Sequence, residues 1–377
     1  MLGLDDSAIV VIWDATYVYI QKSSNYHFQR FSYSMHKGRN LVKMMIVVSS
    51  TGHIIECYGP YFTNGGNNDA SIIIDQFEQH KINTKNFFKD NDAFVVDRGF
   101  RDCVDFLAEL GFNVYMPNFL YNGSQHSDME ANNSRLITKI RWVIEALNGL
   151  IKQWKYFSNV VPNKNIPFIE KDFKIVCSLI NRFYSDRVKS DVEKESLMAN
   201  NMLSKLNQKN TLKDEVESIK TTKRQNVHEN PRLISFPSLS EEYLLDLSFG
   251  TYQMQQAYSY VMDHLNENGK YIFEMFKDKP NILKVKIKSR HSNQTVYKSY
   301  IDYSNSDLRP IKRWYCTCKS GARTLGLCAH VMSVLWYMGY YLKKKNWKPK
   351  DSSKWVEYIL NASDKISQDP EEMDDEV

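Results

Sequence analysis

The sequence predicts an α/β protein in which a mixed sheet flanked by helices is followed by a small α+β module built around a metal-ligand cluster. Three observations lead there. Strand and helix signals alternate over the first 184 residues, a polar stretch breaks that texture from Ser185 to about Leu239, and ligand-type side chains crowd between Cys316 and His330. The chain accordingly divides into residues 1–184, a polar linker or partly helical insertion at 185–239, a module at 240–345, and a tail at 346–377 with an acidic end.

The first elements read as strands. Ala8 to Ile20 is β-branched and aromatic, Leu41 to Ser50 is apolar, and Thr51 with Gly52 turns the chain into His53 to Tyr58, so three antiparallel strands are expected. Asp69 looks like an N-cap before a helix from Ser71 to His80. A short buried strand, Ala93 to Val96, ends at Asp97. A helix from Asp102 to Leu110 stops at Gly111, Val114 to Met116 forms another strand, and a long helix runs from about Asp128 to Trp154. Three antiparallel strands, then alternating helix and strand with a closing helix, is the ribonuclease-H-like order. Beyond the polar stretch, Tyr252 to Leu265 reads as helix and Tyr271 to Tyr303 as three strand-like runs.

Composition narrows the partners. The chain of 377 residues is 42% hydrophobic and 25% charged, within the globular range. Its formal charge of +5 includes six acids in the last nine residues, and without them the body stands at about +11, a surplus that favours polyanions. No run approaches the roughly 18 apolar residues that span a bilayer, so no membrane partner is expected, and no organic cofactor is expected either. Cys57, Cys103 and Cys177 stand alone in apolar patterns and read as buried packing, whereas Cys316, Cys318 and Cys328 cluster.

Three acids could form a phosphodiester-cleaving centre, which needs oxygen ligands on rigid elements to hold two divalent ions. Asp14 sits inside the first strand, where an acid among apolar neighbours is costly unless paired or metal-bound. Asp97 ends a strand at the carboxyl edge of the sheet, as a ligand or as a turn acid before Gly99. On the long helix Ile137, Ile140, Ile144, Leu147, Ile151 and Trp154 form an apolar stripe. Arg141, Glu145, Asn148 and Lys152 form a polar ridge one position further on, from which Glu145 can face the sheet edge or pair with Arg141.

The stretches Trp13 to Ser23, Val96 to Asp102 and Arg141 to Gly149 resemble the DDE superfamily endonuclease domain of Harbinger-like eukaryotic transposases, over about Ile9 to Tyr184. The resemblance implies a ribonuclease-H-like catalytic domain in which Asp14, Asp97 and Glu145 bind two Mg²⁺ or Mn²⁺ ions, a DNA substrate, assembly as a homo-oligomer on DNA ends, and a nuclear location. Ala15 departs from the glycine expected beside the first acid. Proteins of this kind usually carry an upstream DNA-binding region, and this chain begins a few residues before its first strand. The competing readings are a domesticated, non-catalytic DNA-binding protein and a protein-interaction module.

Cys316 with Cys318, and Cys328 with His330, form two close ligand pairs separated by Lys319 to Leu327. Residues two apart on a strand share a face, and three sulfurs with one nitrogen suit a closed, structural zinc site. The pattern resembles the SWIM zinc finger. His27, His36, His53 and His291 lack partner spacing and read as surface or core residues. Lys22, Lys37, Arg39, Arg98 and Arg101 surround the first two acidic strands. Lys284, Lys286 and Lys288 alternate with apolar residues, with Arg290 extending the row, and read either as a solvated strand face or as a track for a nucleic-acid backbone.

Overall fold

The computed structural model describes residues 2–4, 7–79, 87–121, 123–185, 191–218, 225–228, 235–265 and 271–344. The acidic tail, and His80 at the end of the expected second-layer helix, lie outside them. No described helix is long and apolar enough to cross a membrane.

The first sheet is built from β1 (Val10–Tyr19), β2 (Tyr33–Ser34), β3 (Arg39–Ser49), β4 (Ile54–Tyr61), β5 (Ala93–Val95) and β6 (Asn113–Tyr115), with α1 (Tyr26–Ser32) between the first two. β3 runs antiparallel between β4 and β1, β2 pairs with the start of β3, and β1, β5 and β6 continue in parallel. This is the predicted ribonuclease-H-like mixed sheet. Its helices are α2 (Asp69–Gln79), α3 (Val104–Glu109), α4 (Asp128–Ile151) and α5 (Ile169–Phe183).

Strand alternation sorts the core into two layers. Val11 and Trp13 of β1, with Met45 and Val47 of β3, pack against Ile73 and Phe77 of α2 and Leu107 of α3. Ile12 and Val18, with Met44, Ile46 and Val48, face Ile144, Leu147 and Ile151 of α4 and Phe173 and Ile180 of α5. Asp14 shares the parity of Ile12 and therefore points towards α4. A capping box starts α4: Ser127 caps the helix while Glu130 reaches back to the Ser127 backbone. The helix ends at Ile151, so Trp154 does not extend the apolar stripe as expected; it caps the next short turn and is 36% exposed.

A second, antiparallel sheet follows in the order β7 (Gln225–His228), β8 (Phe273–Phe276), β9 (Lys279–Ser289), β10 (Ser292–Tyr303) and β11 (Ile311–Cys316). Leu283, Val285 and Ile287 of β9 pack in one core with residues of α8 (Glu241–Ser248), α9 (Tyr252–His264) and α10 (Ala329–Leu335).

The stretch read as a linker or partly helical insertion contains α6 (Val192–Leu206) and α7 (Thr211–Ser218), and both are tied into the fold. Met202 is fully buried beside Leu136 of α4 and Leu325. Leu212 is fully buried against Phe276, Ile282, Tyr300 and Tyr315 on the other face of the second sheet. Between these helices the buried Asn210 amide donates to the carbonyls of Trp314 and Ala322, each at 2.9 Å. A chain rich in Lys, Asn and Glu thus needs few apolar side chains to dock, because its buried backbone and amide groups find partners.

Candidate functional site

The parallel register brings the first two acids together. Val10, Val11 and Ile12 align with Ala93, Phe94 and Val95, and the same offset carried on sets Asp14 beside Asp97 at the carboxyl edge. Asp97 leaves β5 as the N-cap of a 3₁₀ turn, Arg98–Cys103, and its Oδ1 accepts from the Gly99 amide at 2.7 Å. The polar ridge of α4 lies over this edge. Asn148 Nδ2 donates to Asp14 Oδ2 at 3.0 Å, and Arg141 Nη2 stands 3.5 Å from Asp14 Oδ1 and 3.9 Å from Asp97 Oδ2. Lys152 Nζ, at the end of the ridge, donates to the carbonyls of Tyr17 and Phe157 and anchors α4 to β1. Glu145 is exposed on the same helix.

Electrostatics mark this edge as crowded with negative charge. Burial pushes the Asp14 carboxyl up to about 7; Arg141 opposes that rise, while Asp97, Asp69 and Glu145 add to it. Asp69, expected only to start a helix, is part of the group. Its Oδ2 and Asp97 Oδ1 lie within 2.9 and 3.0 Å of the point a Cβ would occupy on Gly99, so only glycine fits there without displacing one of the acids. Asp69 has its own cation: Lys43 Nζ lies 2.8 Å from Oδ1. Sequence reasoning missed this residue because an acid opening a helix has an ordinary explanation in the helix dipole.

The second constellation is more compact. Cys316, Cys318, Cys328 and His330 are all buried, their ligand atoms lie within 4.8 Å of one another, and they are the one such group of metal-ligand side chains among the described residues. Cys316 ends β11, and Gly321 folds back on it so closely that a Cβ would strike the Cys316 carbonyl. Cys328 caps α10, which carries His330 on its first turn. The donor set fits zinc. Burial drives the Cys316 thiol up, while hydrogen bonds from Cys316 and Cys318 pull the Cys328 thiol well below the usual thiol range, and a cation bound among them would favour the thiolate form of all three. His330 turns Nδ1 towards Cys316 Sγ, at 3.7 Å, and its Nε2 is buried without a hydrogen-bond partner.

The two sites are joined. Gln125 Nε2, just ahead of α4, donates to the carbonyls of both Cys316 and Cys318 at 2.7 Å, and the His126 amide donates to the Lys319 carbonyl at 2.9 Å. Further along α4, Asn132 Oδ1 accepts from the Thr324 and Leu325 amides, both at 2.9 Å, and Arg135 Nη2 donates to the Ser248 carbonyl at 3.0 Å.

The lysine row is less open than its alternation suggests. Lys284, Lys286 and Lys288 share a strand face, but Lys284 is buried and lies 2.6 Å from Glu274, which also pairs with Lys286 at 3.0 Å. Lys286, Lys288 and Arg290 remain exposed, and Arg290 hydrogen-bonds Gln256. Nearer the acids, Arg98 and Arg101 both sit 5.7 Å from the Phe119 ring.

Fold and site together define a ribonuclease-H-like domain with acids gathered at the carboxyl edge of its parallel strands. Residues 13–181 match a family model described as DDE superfamily endonuclease, a span that contains Asp14, Asp97 and Glu145. Searches of curated proteins and of solved structures find no match.

Proposed function

We propose that the chain is a transposase-type endonuclease that cleaves DNA phosphodiester bonds with divalent metal ions, in the manner of Harbinger-like transposases, acting in the nucleus and assembling as a homo-oligomer on DNA ends. The observation that carries this reading is the strand register that sets Asp14 beside Asp97 under the polar ridge of α4, within the segment matched to DDE superfamily endonucleases.

Asp14, Asp97 and Glu145 would hold the ions, an all-oxygen donor set suited to Mg²⁺ or Mn²⁺. When bound, such a pair activates water and stabilises the departing oxygen. Asn148 orients Asp14, and the Gly99 amide orients Asp97. Attack of water on phosphorus would break its bond to the 3′ oxygen, which leaves as a hydroxyl with the proton lost by the water, and that 3′ hydroxyl would be the nucleophile that displaces a 3′ oxygen from a phosphate of a second DNA. The Cys316, Cys318, Cys328 and His330 set, read as a SWIM-type finger, would hold one structural zinc with no open position for chemistry.

Purified protein should nick or cut DNA with Mg²⁺ or Mn²⁺, and Asp97→Asn or Glu145→Gln should lower the rate by at least about a hundredfold, the loss of several kcal/mol of charge stabilisation. Circular dichroism should show both variants folded. Cleavage surviving in both would place the chemistry elsewhere.

A further inference from the structure

The ridge of α4 places a cation at the point where a carboxylate metal centre has least use for one. Arg141 is 8% exposed, and its spacing favours a pair with Glu145, one turn on. Its ion pairs instead run to Asp14 and Asp97, through the single nitrogen Nη2, at 3.5 and 3.9 Å. Its Nε is buried without a hydrogen-bond partner. Both distances exceed the roughly 2.7 to 2.9 Å of a close charge-assisted bond, and neither contact is the two-pronged fork that guanidinium makes with one carboxylate.

Burying a guanidinium with its hydrogen bonding incomplete is costly unless it relieves a larger electrostatic strain. Here that strain is visible: the register puts two carboxylates side by side, one of them, Asp14, only 16% exposed. The other charges at this edge do not serve. Lys43 is committed to Asp69, and Lys152 to backbone carbonyls.

We propose that Arg141 is a positioning residue, the internal counter-ion that holds Asp14 and Asp97 together until a divalent ion takes over its charge. The handover rests on the reading of these two acids as metal ligands. Loose, shared contacts suit that role, because a cation that gripped either acid by a fork would compete with the metal.

Thermal unfolding of the full chain tests this in four forms, wild type, Arg141→Gln, Asp14→Asn and the double variant, each without and with added Mn²⁺. At about pH 8, where Asp14 is ionised, and without Mn²⁺, Arg141→Gln should lower Tm by about 5 to 10 °C, the effect of orphaning a buried carboxylate. Adding Asp14→Asn should recover at least half of that, since the orphan is gone. Mn²⁺ should raise the Tm of Arg141→Gln more than that of wild type. Should Arg141→Gln not fold alone, the double variant must fold, and its failure would overturn the proposal. A double variant that loses the full sum of the single effects, alongside a normal Mn²⁺ response of the wild type, overturns the counter-ion role and leaves the metal centre standing. Coupling between the two substitutions with no Mn²⁺ response in any form overturns the metal centre, and the handover with it.

Discussion

Asp14 concentrates the chemistry of this site in one carboxyl. Unfolded, it titrates near 3.8; folded, burial and the neighbouring acids raise it to about 7, against the pull of Arg141. Between those values the folded protein holds the extra proton, so Asp14 makes stability fall as pH rises from about 4 to about 7. A divalent ion needs the same carboxyl bare. Mn²⁺ affinity should therefore climb by up to about tenfold per pH unit below neutrality and level off above about pH 7, with the slope removed by Asp14→Asn. Calorimetric titration with Mn²⁺ across that range checks it, and a flat profile in the wild type would take Asp14 out of the ligand set. Asp14 and Asp97 were legible in the sequence because each interrupts or ends an apolar strand, where an acid has to be explained. Asp69 was not, since its closeness to Asp97 across Gly99 joins residues about thirty positions apart.

Among the elements, α4 connects the two sites. Its apolar stripe and polar ridge follow from the spacing of its side chains, so the face bearing Arg141, Glu145 and Asn148 was readable in advance. What it rests on was not. Its leading residues, Gln125 and His126, hydrogen-bond the backbone of the cysteine turn, and Asn132 holds the next segment. Metal analysis should find one zinc per chain, and none in a folded sample would remove the site. Cys318→Ser should unfold residues beyond about Tyr271 and, in hydrogen exchange, also strip protection from the His126 amide and the first turns of α4. An effect confined to the module would mean that α4 stands without it.

For the whole molecule, the basic surplus outside the acidic tail is long-range and favours a polyanion, but pairing decides which charges remain available. Lys284 is consumed by Glu274, and Lys286 shares that acid, so the exposed row is Lys286, Lys288 and Arg290. If that row follows a DNA backbone, changing all three to Gln should weaken binding for every sequence. It should also shallow the log–log salt slope by about 2 to 3, since each phosphate no longer neutralised removes roughly 0.9. An unchanged slope in a folded variant would assign these residues to solvated surface.

By itself the sequence determined the longer strands, the helices α2, α3, α4 and α9, the acid within the first strand and the one just past β5, and the four-ligand cluster. All of these depend on local periodicity and close spacing, and so are written over short stretches. Tertiary structure alone decided that Arg141 turns from Glu145 to Asp14 and Asp97, that Asp69 joins them, that Lys284 is buried, and that a polar segment packs Met202 and Leu212 into two cores. Each of these is a choice of partner for a charged or apolar side chain, made among residues distant in sequence, and periodicity carries no information about which of them come near.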